Sequence, residues 1–123
     1  MAGTRLSIRI DLENGDRIGP GKIALLEAIR STGSISAAAR MLDMSYRRAW
    51  LLVEEVNDAL RDPAVAAEIG GRRGGGAVVT PSGEQLVGLY RTIESHARIA
   101  SGGEFRAIGR LVRPDAGRDK GPA

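Results

Sequence analysis

The chain has no cysteine and a single histidine, His96, so it can build neither a disulfide framework nor a thiolate or histidine-rich metal site. Aromatic side chains are almost as scarce: one Phe, two Tyr and one Trp leave core packing to Leu, Ile, Val and Ala. No apolar run approaches the ~18 residues of a membrane span, and the opening "MAGTRLSIRI" has no apolar segment of signal-peptide length. These absences predict a cytoplasmic protein with no metal, no cofactor and no membrane partner. Catalysis has little to draw on. There is no thiol nucleophile, and Glu94 lies two residues from His96 on a different helical face, so no catalytic residue and no enzyme activity is expected.

What is present suits one domain. A chain of 123 residues is long enough for a single core without covalent staples. The net charge of +3 permits an anionic partner, and its distribution is informative. Residues 1–60 balance eight basic against eight acidic side chains, whereas residues 61–123 carry ten against seven. The surplus falls in a glycine run and in the tail.

Along the chain, Leu6, Ile8, Ile10 and Leu12 alternate with Ser7, Arg9, Asp11 and Glu13, which predicts a half-buried strand followed by a turn at Asn14-Gly15. From Gly21 the period lengthens to that of a helix. Ile23, Leu26, Ile29 and part of Leu25 form its inward stripe, with Pro20 just before or at the start and Gly33 as the stop. The stretch "GSISAAARMLDMSYRRAW" then reads as two helices with a tight turn. Ser34 or Ser36 caps a short alanine-rich helix that another helix can approach closely, and Ser45 caps a longer one with Ala49, Val53, Val56 and Leu60 inward. Its first turn carries Tyr46, Arg47 and Arg48, a combination of donors, dipole and positive charge that suits phosphates and base edges. An amphipathic hairpin with solvated arginines is the alternative.

After Pro63, "AVAAEI" is open between a helical turn and a strand, and "GGRRGGGAVVT" describes a ribbon with Arg72 and Arg73 at its tip, a wing able to reach a neighbouring groove. The glycine run lacks the Gly-Lys-Ser/Thr ending of a nucleotide-binding loop. The last long helix follows "TPSGEQ". Leu86, Leu89, Tyr90, Ile93 and Ala97 recur at helical spacing, and this stripe predicts helix-to-helix homodimerisation. Domain bounds of 1–100 are expected, with 101–123 as a flexible tail in which "FRAIGRLV" is at most a weak helix or strand.

Taken together, "GSISAAARMLDMSYRRAW", "GGRRGGGAVVTPSGEQLVGLY" and the leading strand resemble, over residues 5–98, the N-terminal domain of the molybdate-responsive ModE-type transcription regulators, itself similar to LysR-type DNA-binding domains. The resemblance implies a fold that is mainly α with a small β wing, a winged helix-turn-helix with a C-terminal dimerisation helix. It implies a sequence-specific, homodimeric regulator that reads an inverted repeat in double-stranded DNA. Ser34, Ser36, Ser45, Tyr46, Arg47, Arg48, Arg72, Arg73 and Thr80 become DNA-binding residues, and Trp50 packs the second helix. A winged helix that docks a protein instead is the competing reading. Regulators of this type add C-terminal β-barrels that bind molybdate; the residues after 100 match no barrel, so a stand-alone form is expected in which an oxyanion ligand is unlikely.

Overall fold

The computed structural model describes residues 3–68 and 76–114. From Arg5 to Glu13 the side chains alternate between exposed and half-buried, as the period of two requires. Only Ile10–Asp11 (β1) is paired, however, and its antiparallel partner is Arg17–Ile18 (β2), with Ile10 opposite Ile18 and Asp11 opposite Arg17. Gly15, at φ 95°, turns the chain between them, and the Asp16 N–H donates to Asn14 Oδ1 at 3.0 Å.

Helix α1 spans Pro20–Thr32, with Pro20 in its first turn, and ends where Gly33 enters the left-handed region at φ 82° and donates its N–H to the Ile29 carbonyl at 2.8 Å. Ile23, Leu25, Leu26, Ala28 and Ile29 are all buried, each Leu or Ile contributing roughly 1.5–3 kcal/mol by leaving water. Helix α2 (Ile35–Met41) follows at once, and α3 (Tyr46–Ala59) follows a turn in which Asp43 takes φ 56° and the Met44 N–H reaches back to the Ala39 carbonyl at 2.9 Å. Ala38, Ala39 and Ala49 are at most 2% exposed, so the alanines do bring the helices of this pair close.

Strand β3 (Val65–Ala67) pairs antiparallel with β4 (Ala77–Val79), Val65 opposite Val79. Asn57 of α3 holds this ribbon: its Oδ1 accepts from the Ala64 and Val65 N–H groups, and its Nδ2 donates to the Val65 carbonyl. The Ala77 N–H ties the same ribbon to the Gly33 carbonyl at 2.9 Å. Helix α4 (Pro81–Ala100) packs on α1, and α5 (Gly102–Leu111) follows Ser101. At Gly83 a Cβ would run into the Ala64 carbonyl and lie 2.7 Å from Val79 Cγ1, so glycine is what lets α4 seat against the ribbon.

The expected fold class needs correction. Among the described residues there are five helices and two separate two-stranded sheets, the β1–β2 ribbon being absent from the expectation. The tip that would make β3–β4 a wing lies outside the described residues. The single C-terminal dimerisation helix is replaced by α4 and α5, the second formed where only a weak element was expected. A winged helix-turn-helix with one terminal helix therefore does not stand as its description. Nor does either sheet close into a barrel among the described residues.

Candidate functional site

The start of α3 brings exposed cationic and aromatic groups together on regular structure. Ser45 Oγ accepts from the Arg48 N–H at 3.1 Å, which fixes the start of the helix, and no acidic residue stands in that turn. Arg47 and Arg48 are exposed, and among the described residues neither has a carboxylate partner. Tyr46, Trp50 and Leu51 are exposed beside them at 55%, 42% and 43%. Trp50, expected to pack the helix, instead leaves much of its indole free. The opposite face of α3, Ala49, Val53 and Val56, is buried, so the core sets which side chains point outward.

The other expected site residues fall into different roles. Ser34 is the α2 cap, its Oγ accepting from the Ala37 N–H at 2.9 Å, and Ser36 is exposed and accepts from the Arg40 guanidinium at 3.2 Å. Thr80 caps α4: Oγ1 accepts from the Gly83 N–H at 3.1 Å and donates to the Pro63 carbonyl at 2.6 Å. Arg72 and Arg73 lie outside the described residues. In the proposed dimer stripe, Leu89 and Ile93 are exposed at 56% and 45%, Ala97 is half-buried and Leu86 packs against the core. Tyr90 is buried within the chain. It is 1% exposed and donates to the Ile8 carbonyl at 2.7 Å; burial, with Glu94 beside it, pushes its phenol above the usual range.

Sequence reasoning missed two cationic clusters. Arg91 of α4 lies between Glu27 and Glu94, donating Nε and Nη2 to the first at 3.0 and 2.8 Å and Nη1 to the second at 2.7 Å. The Arg91 hydrogen bonds hold the Glu27 carboxyl below its usual range against the opposing effect of burial, and the same bonds raise Arg91. Beside this clamp a cavity of about 510 Å³ is rimmed by Thr4, Arg5, Ser7, Arg98 and Phe105. Elsewhere, Arg9, Arg17, Lys22 and Arg48 ring a shallow cleft of about 260 Å³ floored by Leu52. The outward phase of the leading strand was the signal available for Arg9.

No known protein-family profile matches the chain. It is similar to the molybdenum-pterin-binding protein MopB of Rhodobacter capsulatus, 52% identical over 81 residues, covering 66% of this chain and 30% of that protein. It is similar to the molybdenum transport protein ModE of Azotobacter vinelandii, 34% identical over 125 residues, covering 91% of this chain and 46% of that one. It is also similar to the DNA-binding transcriptional dual regulator ModE of Escherichia coli, 41% identical over 71 residues and 27% of that protein. The chain spans less than half the length of these relatives.

These relatives correct three expectations. Assignment to a stand-alone N-terminal domain of DNA-binding regulators does not stand, because the chain is similar to proteins named for molybdenum-pterin binding and molybdenum transport. The resemblance therefore no longer names the fold. A sequence-specific reader of an inverted repeat is overturned as the functional assignment, since two of these relatives are named as molybdenum-pterin-binding proteins and another as a molybdenum transport protein. Finally, the exclusion of an oxyanion ligand loses its ground: a chain that covers 30% to 46% of these two relatives says nothing of what its end implies.

Proposed function

We propose that this chain serves molybdenum-dependent regulation, and that its own part is to hold double-stranded DNA through the first turn of α3. The observation that carries the reading is the capped, acid-free turn at Ser45, with Arg47 and Arg48 exposed and free of carboxylate partners among the described residues. Such a turn presents backbone dipole and guanidinium groups to an anion, and phosphate neutralisation supplies most non-specific DNA affinity. Exposed Leu89 and Ile93 of α4 offer a surface for a second copy. The reading requires no catalytic step. The test is anisotropy of labelled duplexes with the purified chain at several salt concentrations, with and without molybdate. Salt-dependent binding that weakens in Arg47→Ala supports the reading; no binding to any duplex at low salt overturns it.

A second reading, that a molybdenum oxyanion binds this chain itself, is favoured by the names of the relatives and by the cavity beside the Arg91 clamp. Arg5, Arg98 and the hydroxyls of Thr4 and Ser7 are the donor types a tetrahedral oxyanion takes. Calorimetric titration with molybdate, sulfate serving as control, separates the two readings. Binding lost in Arg98→Ala supports the oxyanion site, and absence of heat at millimolar molybdate removes it.

A further inference from the structure

The cleft between the β1–β2 ribbon, the start of α1 and the side of α3 carries a concentration of positive charge that the first turn of α3 does not account for. Arg9 reaches it from just before β1, Arg17 from β2, Lys22 from α1 and Arg48 from α3. Two of these cations are already engaged: Arg9 Nε lies 2.9 Å from Asp11 Oδ1, and Lys22 Nζ lies 3.1 Å from Glu55 Oε1 and donates to the Arg17 carbonyl. Arg17 and Arg48 have no carboxylate partner among the described residues. Four cations thus line a cleft of about 260 Å³ while only two of them are paired with carboxylates, and the excess sits on Arg17 and Arg48.

Position settles what the cleft would meet. Arg48 belongs both to its rim and to the first turn of α3, so a duplex lying against Arg47 passes within reach of the cleft. The hydrogen bond from Asn14 Nδ2 to the Ala59 carbonyl, at 3.1 Å, anchors the ribbon turn to the far end of α3 and holds Arg17 alongside that helix. The geometry points to a second backbone-holding site: Arg17, supported by Arg9 and Arg48, takes a phosphodiester of the same duplex that α3 contacts. This rests on the DNA reading above and adds to it residues outside the α2–α3 pair. The contact positions the duplex and carries no base information of its own.

The test compares Arg17→Ala, Arg17→Gln and the double variant Arg9→Ala/Arg17→Ala with Arg47→Ala and with Arg110→Ala, an exposed arginine of α5 whose loss changes net charge equally. Duplex affinity is measured across a salt series, with far-UV circular dichroism to verify folding. The expected result is a several-fold loss in both Arg17 single variants, the same on every duplex, with the log–log salt slope shallower by about one, and a larger loss in the double variant. Arg110→Ala should bind as wild type. Arg17 variants that match wild type while Arg47→Ala loses binding would overturn the cleft and leave the α3 reading intact. Equal losses in Arg17→Ala and Arg110→Ala would overturn it as well, since net charge would then explain both. Absence of duplex binding by the wild-type chain would remove both proposals together.

Discussion

Arg91 of α4 and Arg47 of α3 carry the same guanidinium into different surroundings. Arg91 is held by both oxygens of Glu27 and by Glu94, and its guanidinium carbon lies 5.7 Å from the Tyr90 ring centroid. Its charge is consumed inside the fold, where it joins α1 to α4 over a buried tyrosine. Arg47 has none of this. The α3 turn that bears it contains no acid, and its charge remains available to a partner. A guanidinium with fixed carboxylates is a brace, whereas one kept clear of them is a contact point.

The largest expected effect separates these roles directly. Arg47→Ala should lower duplex affinity about tenfold, or roughly 1.4 kcal/mol, with almost no change in melting temperature. Arg91→Ala should do the reverse. Its loss leaves Glu27 and Glu94 without their shared cation, but the Arg91 side chain is 40% exposed. Solvent screening therefore keeps the cost near 1 kcal/mol, about 4 °C in melting temperature for a domain of this size. Duplex affinity should not change. Paired thermal melts and anisotropy titrations on the two variants check this, and a melting loss in Arg47→Ala would erase the distinction.

Much of the arrangement behind that contrast was legible in the sequence. Ser45, Gly33 and Pro20 act as the stop and start signals they resemble because capping is a local matter between neighbours in the chain. The inward stripe of Ala49, Val53 and Val56 follows from periodicity alone. What was illegible depends on partners distant in sequence. Arg91 finds Glu27 across 64 positions, and Tyr90 finds the Ile8 carbonyl across 82. Helical spacing places Tyr90 on an apolar stripe but cannot tell whether that stripe faces the same chain or a second one. Thr80 shows the same limit, since a hydroxyl that caps α4 and one that waits for phosphate look identical in sequence. The cationic cleft was hidden because its four contributors come from β2, α1, α3 and the segment before β1.

Ser45→Ala sharpens the comparison by loosening the open arginines without removing them. Deleting the cap should cost about 1 kcal/mol of stability. The first turn of α3 should fray, so duplex affinity should fall by less than in Arg47→Ala although both guanidiniums remain. Ser34→Ala, which removes the equivalent cap from α2, should show a similar loss of stability. Hydrogen exchange at the Arg48 amide is the direct readout, and unchanged protection there in Ser45→Ala would show that the cap does not order the turn.

The smallest effect concerns pH and belongs to the brace alone. Hydrogen bonding from Arg91, first, and then the charges of Arg91 and Arg30 hold the Glu27 carboxyl below its usual range in the folded protein, although burial opposes them. A carboxyl depressed on folding binds fewer protons in the native state than in the unfolded one. Its contribution is therefore fully present above the unfolded value, about 4.3 for Glu, and is lost as pH falls through the depressed folded value. At neutral pH the contribution is constant, and mild acid begins to withdraw it. Glu27→Gln keeps the shape of the side chain but removes this titration, so its melting temperature should lie below wild type near neutrality and converge with it in acid. Thermal melts of the two proteins from neutral pH down to about 3 measure that convergence. A constant gap across the range would mean that Glu27 contributes through shape and neutral hydrogen bonding, and that the brace does not depend on its charge.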